Sequence, residues 1–282
     1  MGFFGGNGDD DGYELCRAKI LGVCREAIND GITRYKSEDG MDSISEKGLS
    51  IVVPCYNERE NIPLILERFE KTLGDRPIEV VLVDNGSTDG SDEVLKALLP
   101  AYPFASSVRV PVNQGYGYGI VFGLRAARGH YIGWTHADMQ TDPADISKAY
   151  DRLKSAGFPD WYFKGKRKGR PLFDRFFTVG MSAFETVYLG AFLWDINAQP
   201  NLFPASFFNG LQDFPDDFSL DLYMYYQAKR IGLPVRRFEV RFTERIHGAS
   251  KWNDNTMAAK KKFILRTLDF SRRMKKNLGG NK

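Results

Sequence analysis

The segment His136-Ala137-Asp138-Met139-Gln140-Thr141-Asp142-Pro143 carries an imidazole, a carboxylate and an amide at alternate positions. Alternate residues of an extended chain face the same way. His136, Asp138 and Gln140 are therefore spaced to converge on one cation. Mixed oxygen and nitrogen donors with few carboxylates suit Mg²⁺ or Mn²⁺ that completes its shell with water and phosphate oxygens. Such an ion neutralises a departing diphosphate. The same spacing also describes an ordinary turn, with Asp142-Pro143 capping the next helix. A second cluster, Asp84-Asn85-Gly86-Ser87-Thr88-Asp89-Gly90, puts two carboxylates around a tight loop. Asp84 can accept hydrogen bonds from a ribose or a base, or serve the turn itself. For Asp89, turn and capping chemistry is the expected use.

Basic side chains gather twice. Lys164, Lys166, Arg167, Lys168, Arg170 and Arg175 form one run; Arg241, Arg245, His247 and Lys251 form the other. Arginine forks recognise phosphate, and a solvated loop is the alternative, favoured for the first run. The second run includes Ser250 and Trp252 beside Gly248, a mix that suits a mobile anion-binding loop. Asp217 and Asp221 are four apart on an expected helix. One of them is a candidate proton acceptor, and Asp217 is also placed to cap that helix. Gly115, Gly117, Gly119 and Gly123 lack the register of a dinucleotide loop. Close backbone approach at a helix start is their expected role. A phosphate-binding GxxxxGK[ST] loop is absent.

Elements of strict alternation position these groups. Leu49–Pro54, Ile78–Val83, Val108–Val110 and Tyr131–Thr135 read as buried strands. Helical spacing fills 58–73, 91–99 and 114–128. The order β-α-β-α-β-α-β predicts a parallel sheet with helices on both faces. In such sheets function gathers beyond the C-terminal strand ends. The polar clusters at 54–58, 84–89 and 136–140 all lie there. The 282 residues are 43% hydrophobic and 27% charged, which excludes global disorder. Cys16, Cys24 and Cys55 offer neither a disulfide framework nor a CxxC site.

Three regions are expected: an extension over 1–47 with a helix near 13–36, a main domain over 48–255, and a basic tail helix over 256–282. Residues 258–282 hold nine basic and one acidic side chain. That tail, with Phe263, Ile264, Phe270 and Met274, suits either an anionic membrane surface or packing on the domain. Thr178–Trp194 is apolar and reads as a buried core helix rather than a membrane span. The opening MGFFGGNGDDDG lacks the regions of a signal peptide. The expected location is cytoplasmic, or peripheral on the cytoplasmic membrane face.

Pro54-Cys55-Tyr56-Asn57-Glu58, Val83 to Gly90 and Ala137-Asp138-Met139-Gln140 occur in one order. Together they resemble the inverting family 2 glycosyltransferases of GT-A fold. FSLDLYMYYQAKRIGLPVRRFEVRF and RIHGASKW look like the dolichyl- or polyprenyl-phosphate mannosyltransferase branch. The resemblance covers about residues 48–253 and implies a nucleotide-diphospho-sugar transferase, with a mostly parallel sheet and helices on both faces. It implies that Pro54, Tyr56, Glu58, Asp84 and Gly115 line the nucleotide pocket, with Asp138. Asp138, Gln140 and His136 would hold Mg²⁺ or Mn²⁺. Arg175, Arg245, Ser250 and Lys251 would meet donor and acceptor phosphates, and Asp221 would lie near the acceptor.

The implied partners are a GDP- or UDP-linked sugar and a lipid-phosphate or glycan acceptor, with no nucleic acid. Transfer to a sugar hydroxyl and non-catalytic nucleotide-sugar binding are the other functions considered. The family motif usually begins with aspartate, and His136 replaces it. Asn85 stands at the usual second aspartate of the nucleotide loop. An arginine common to the lipid-phosphate branch is missing from 195–203.

Overall fold

The computed structural model describes residues 48–169, 172–241 and 257–279, with side chains described over 48–169, 178–241 and 265–276. The expected extension over 1–47 lies outside the described residues. Strands β1 (Leu49–Cys55), β2 (Ile78–Asn85), β3 (Ala105–Val110) and β4 (Tyr131–Trp134) come from the β-branched runs. Helices α1 (Asn61–Leu73), α2 (Ser91–Leu98) and α3 (Tyr116–Ala126) connect them. Then follow α4 (Ala144–Ser155), β5 (Tyr162–Lys168), α5 (Leu172–Leu189), β6 (Asn201–Pro204), α6 (Ala205–Asn209), α7 (Ser219–Arg230), β7 (Val235–Arg241) and α8 (Met257–Gly279).

The strands form one seven-stranded sheet in the order β3-β2-β1-β4-β6-β5-β7. β1 to β4 are mutually parallel where they pair; β6 runs antiparallel to β4 and β5, and β7 is parallel to β5. Every residue of β2 is buried, as strands covered on both faces require. Ile62, Ile65, Leu66, Phe69 and Leu73 form the buried stripe of α1 against this sheet. Each such side chain contributes roughly 2 kcal/mol of apolar burial, offset by ordering costs. α3 approaches the sheet closely through Gly123. A methyl there would meet Val52 and Val83 at 2.5 and 2.6 Å.

Two expectations need correction. The basic run beginning at Lys164 is not a solvated loop: its first half is β5, and Lys164 is fully buried. Thr178–Trp194 is not a buried core helix. Helix α5 ends at Leu189, Gly190 follows at φ +66°, and Val179, Phe184, Val187, Phe192 and Trp194 are exposed. No described helix is long and apolar enough to cross a membrane.

Candidate active site

The four parallel strands end side by side, and the register places Cys55 beside Asp84 and Asp84 beside Arg109. The loops after β1 and β2 are stitched together. Asn57 N donates to Ser87 Oγ (3.0 Å), Thr88 N to Asn57 Oδ1 (2.9 Å), and Arg59 N to Asp89 Oδ2 (3.1 Å). Asn57 takes φ +56°, which the crossing bonds hold in place. Glu58 Oε2 accepts from Asn61 Nδ2 (2.6 Å), while its carbonyl accepts the first amides of α1. Pro54 and Tyr56 are half-buried at this edge.

Asp84 is 1% exposed. Its Oδ1 accepts from Ser87 N (2.9 Å), and Arg109 Nε lies 3.3 Å from Oδ2. No hydrogen bond reaches Oδ2 among the described residues. That oxygen is buried and ion-paired with Arg109. Asp89, as expected, spends its carboxylate on Ser91 and Arg59. Gly115 takes φ +122°, and a methyl there would meet the Asp216 carbonyl oxygen at 2.3 Å. Its place at the start of α3 requires glycine.

After β4, Asp138 is 4% exposed and its Oδ1 accepts from Gln140 N (3.1 Å), with Met139 at φ +58°. His136 and Gln140 are half-buried beside it. Asp142 turns away, binding Arg68 in a two-bond fork and accepting from Ala144 N. Among the described residues no three His, Cys, Asp or Glu side chains group around a metal position. One carboxylate, one imidazole and one amide fit Mg²⁺ or Mn²⁺ shared with a diphosphate, and do not fit a cage that holds the ion alone.

Asp221 lies on the first turn of α7 and is 2% exposed. Its Oδ1 accepts from Gln199 Nε2 (2.9 Å) and Asn201 Nδ2 (3.1 Å). Gln199 Nε2 also reaches the Tyr116 hydroxyl (3.1 Å). Asn201 Oδ1 accepts from Lys164 Nζ (2.5 Å) and Tyr162 (3.1 Å). Burial raises the Asp221 pKa and lowers that of Lys164, while each charge favours the other. Burial also raises the Tyr116 pKa and keeps its phenol neutral. Asp217 does cap α7, accepting from Ser219 N (2.9 Å). Sequence reasoning missed Lys164, Gln199, Asn201 and Tyr116 as one network. Arg245, Ser250, Lys251 and the side chain of Arg175 lie outside the described residues.

Parallel strands whose acidic loops converge at one edge, continued by an antiparallel β6, define the GT-A fold. The chain is similar to glucosyl-3-phosphoglycerate synthase from Mycobacterium tuberculosis. Its complex with Mn²⁺, UDP and glucosyl-3-phosphoglycerate matches with TM-score 0.57 at 18% identity, over 75% of this chain and 79% of that one. Its UDP complex matches with TM-score 0.61 at 19% identity, over 80% of each chain. Residues 50–171 match the family described as glycosyl transferase family 2.

Two curated relatives share the same printed description, undecaprenyl-phosphate 4-deoxy-4-formamido-L-arabinose transferase. That of Yersinia enterocolitica is 37% identical over 106 residues, covering 36% of this chain and 32% of the relative. That of Pseudomonas savastanoi pv. phaseolicola is 40% identical over 109 residues, covering 36% of this chain and 31% of the relative. The match thus spans about a third of the length of these relatives.

Proposed function

We propose that the protein transfers a hexose from a nucleotide-diphosphate sugar to a polyprenyl-phosphate acceptor, with inversion, in one displacement. The observation that carries this reading is the meeting of 54–58, 84–90, Gly115 and 136–140 at the ends of adjacent parallel strands. The lipid-phosphate transferases among the relatives support the acceptor class. UDP in the structurally similar enzyme favours a UDP-linked donor over a GDP-linked one.

In this reading Pro54, Tyr56, Glu58, Asp84 and Gly115 hold the nucleotide. Asp138, Gln140 and His136 would hold Mg²⁺ or Mn²⁺. The ion supplies positive charge where negative charge develops on the leaving group. An acceptor phosphate oxygen attacks the anomeric carbon, the bond to the diphosphate oxygen breaks, and the diphosphate departs with that electron pair. A phosphate nucleophile needs no protein base. Asp221 therefore serves as a positioning residue, holding Gln199 and Asn201. Arg175, Arg245, Ser250 and Lys251 are assigned to phosphate contact.

A peripheral membrane location fits this acceptor. Val187 is 84% exposed and Phe192 68%, beside exposed Phe184 and Trp194. α8 packs on α5: Lys275 Nζ donates to Tyr188 O (3.0 Å) and lies over its ring. Arg266, Arg272, Lys275 and Lys276 are exposed along it. An apolar ridge flanked by cations suits an anionic bilayer surface. The ridge belongs to α5 and the turn after it. In α8, Met274 is buried and Phe270 half-buried, so these two pack on the domain.

The test is incubation with radiolabelled UDP- and GDP-hexoses, undecaprenyl phosphate and Mn²⁺. Label extracted with the lipid supports the reading; turnover only with a sugar-hydroxyl acceptor contradicts it.

A further inference from the structure

The glycines that open α3 leave room for one side chain. Asn85, the last residue of β2, is 3% exposed. Its Nδ2 donates to the Gly115 carbonyl at 2.9 Å. Its Oδ1 has no hydrogen-bond partner among the described residues, so the nitrogen ties the amide down. The amide lies against Gly119, where a methyl would meet Nδ2 at 2.7 Å and Cγ at 2.8 Å. Glycine inside a helix costs stability relative to alanine. Here the missing methyl makes the space that Asn85 fills.

Both ends of the Gly115 residue are held. Its N–H donates to Asn113 Oδ1 (2.9 Å), and its carbonyl accepts from Gly119 N (3.2 Å) as well as from Asn85. A carbonyl oxygen only accepts, so its partner at position 85 must donate. An ionised aspartate there would set oxygen against oxygen. Away from β2, Tyr118 N donates to Asp216 O (3.1 Å). Loss of the Asn85 bond therefore frees the start of α3 on the β2 side while the other side stays tied.

We infer that Asn85 is a positioning residue for the nucleotide. It sets the Gly115 backbone against Asp84, its own chain neighbour, and so fixes the shape of the pocket proposed for both. The inference rests on that proposed pocket.

The experiment titrates the full chain calorimetrically with UDP and with GDP in the presence of Mn²⁺, and follows the nucleotide that wild type binds more tightly. Asn85→Ala should weaken binding about tenfold, and Asn85→Asp by more, both at unchanged stoichiometry. A merely structural loss would lower the bound fraction and leave the dissociation constant alone. Gly119→Ala should weaken binding about threefold by displacing Asn85, and should add nothing in the Asn85→Ala background. Three results would each overturn the inference: wild-type affinity in both Asn85 variants, a fall in stoichiometry alone, or an equal Gly119→Ala loss in the two backgrounds. A wild type that binds neither nucleotide overturns the proposed pocket itself, and this inference with it. Lipid transfer has no part in the readout, so its failure bears on the acceptor alone.

Discussion

Asn201 bridges two buried charges: its Oδ1 accepts from Lys164 Nζ at 2.5 Å, and its Nδ2 donates to Asp221 Oδ1 at 3.1 Å. Lys164 and Asp221 are 0% and 2% exposed. Removing one partner leaves the other charge buried without compensation. Asp221→Asn should therefore lower unfolding stability by about 3 kcal/mol, and Lys164→Met by a similar amount. The double variant should lose less than the sum, by at least about 1 kcal/mol. Urea denaturation of the four proteins checks this. Additive losses would mean that Asn201 does not couple the pair.

The proposed metal site predicts how Mn²⁺ would bind. Asp138, Gln140 and His136 hold too few charges to retain Mn²⁺ alone. Electron paramagnetic resonance should show weak Mn²⁺ binding to the free protein and tightening by at least about tenfold once UDP is added. His136→Asp restores a negative charge and should tighten Mn²⁺ in both states. Equal affinity with and without UDP would refute a shared site.

Glu185 makes a pH-dependent joint between α5 and α8. It is fully buried, and Ser271 Oγ lies 2.8 and 2.9 Å from its two carboxylate oxygens. Burial pushes its pKa up to about 7 against the ordinary 4.5, with the Ser271 bond opposing. The folded state then binds the proton more tightly than the unfolded one. Stability from this site is fully present below 4.5 and is lost as pH rises through about 7. Thermal melts should show Glu185→Gln removing that slope and melting above wild type at pH 8. A wild-type slope retained in Glu185→Gln would exclude Glu185 as its source.

The apolar ridge predicts membrane binding through α5. Val187→Asp with Phe192→Asp should abolish co-sedimentation with vesicles rich in phosphatidylglycerol, while leaving the melting temperature unchanged, because both side chains are exposed. Charge reversal at Arg272 and Lys276 should weaken binding to anionic vesicles in low salt. Unaltered sedimentation of the first variant would rule out the ridge. A loss of self-association instead would identify a second copy as its partner.

The sequence disclosed β1 to β4 because β-branched runs ending in polar loops mark strands buried on both faces. It disclosed Asp84 and the 136–140 segment for the same reason. It concealed β5, because YFKGKRK looks like a solvated basic run. What buries Lys164 and Arg167 is Asn201, Ala198 and Asp195, some thirty residues away. Local spacing carries no trace of such partners. β6 has only four residues, too few to show alternation. Apolarity of α5 suggested a core helix, yet hydrophobic content alone does not distinguish a core face from an exposed ridge.

Asp84 at the end of β2 and Asp138 after β4, on either side of β1, are proposed to handle one donor molecule. The most direct test is the rate of nucleotide-sugar consumption with Mn²⁺ in wild type, Asp138→Ala and Asp84→Ala, with melting temperatures confirming that all three fold. The expected result is turnover in wild type, a loss of at least about 100-fold in Asp138→Ala, and a raised KM for the donor in Asp84→Ala. Wild-type turnover that survives Asp138→Ala unchanged, or no turnover with any UDP- or GDP-linked hexose, would contradict the proposal.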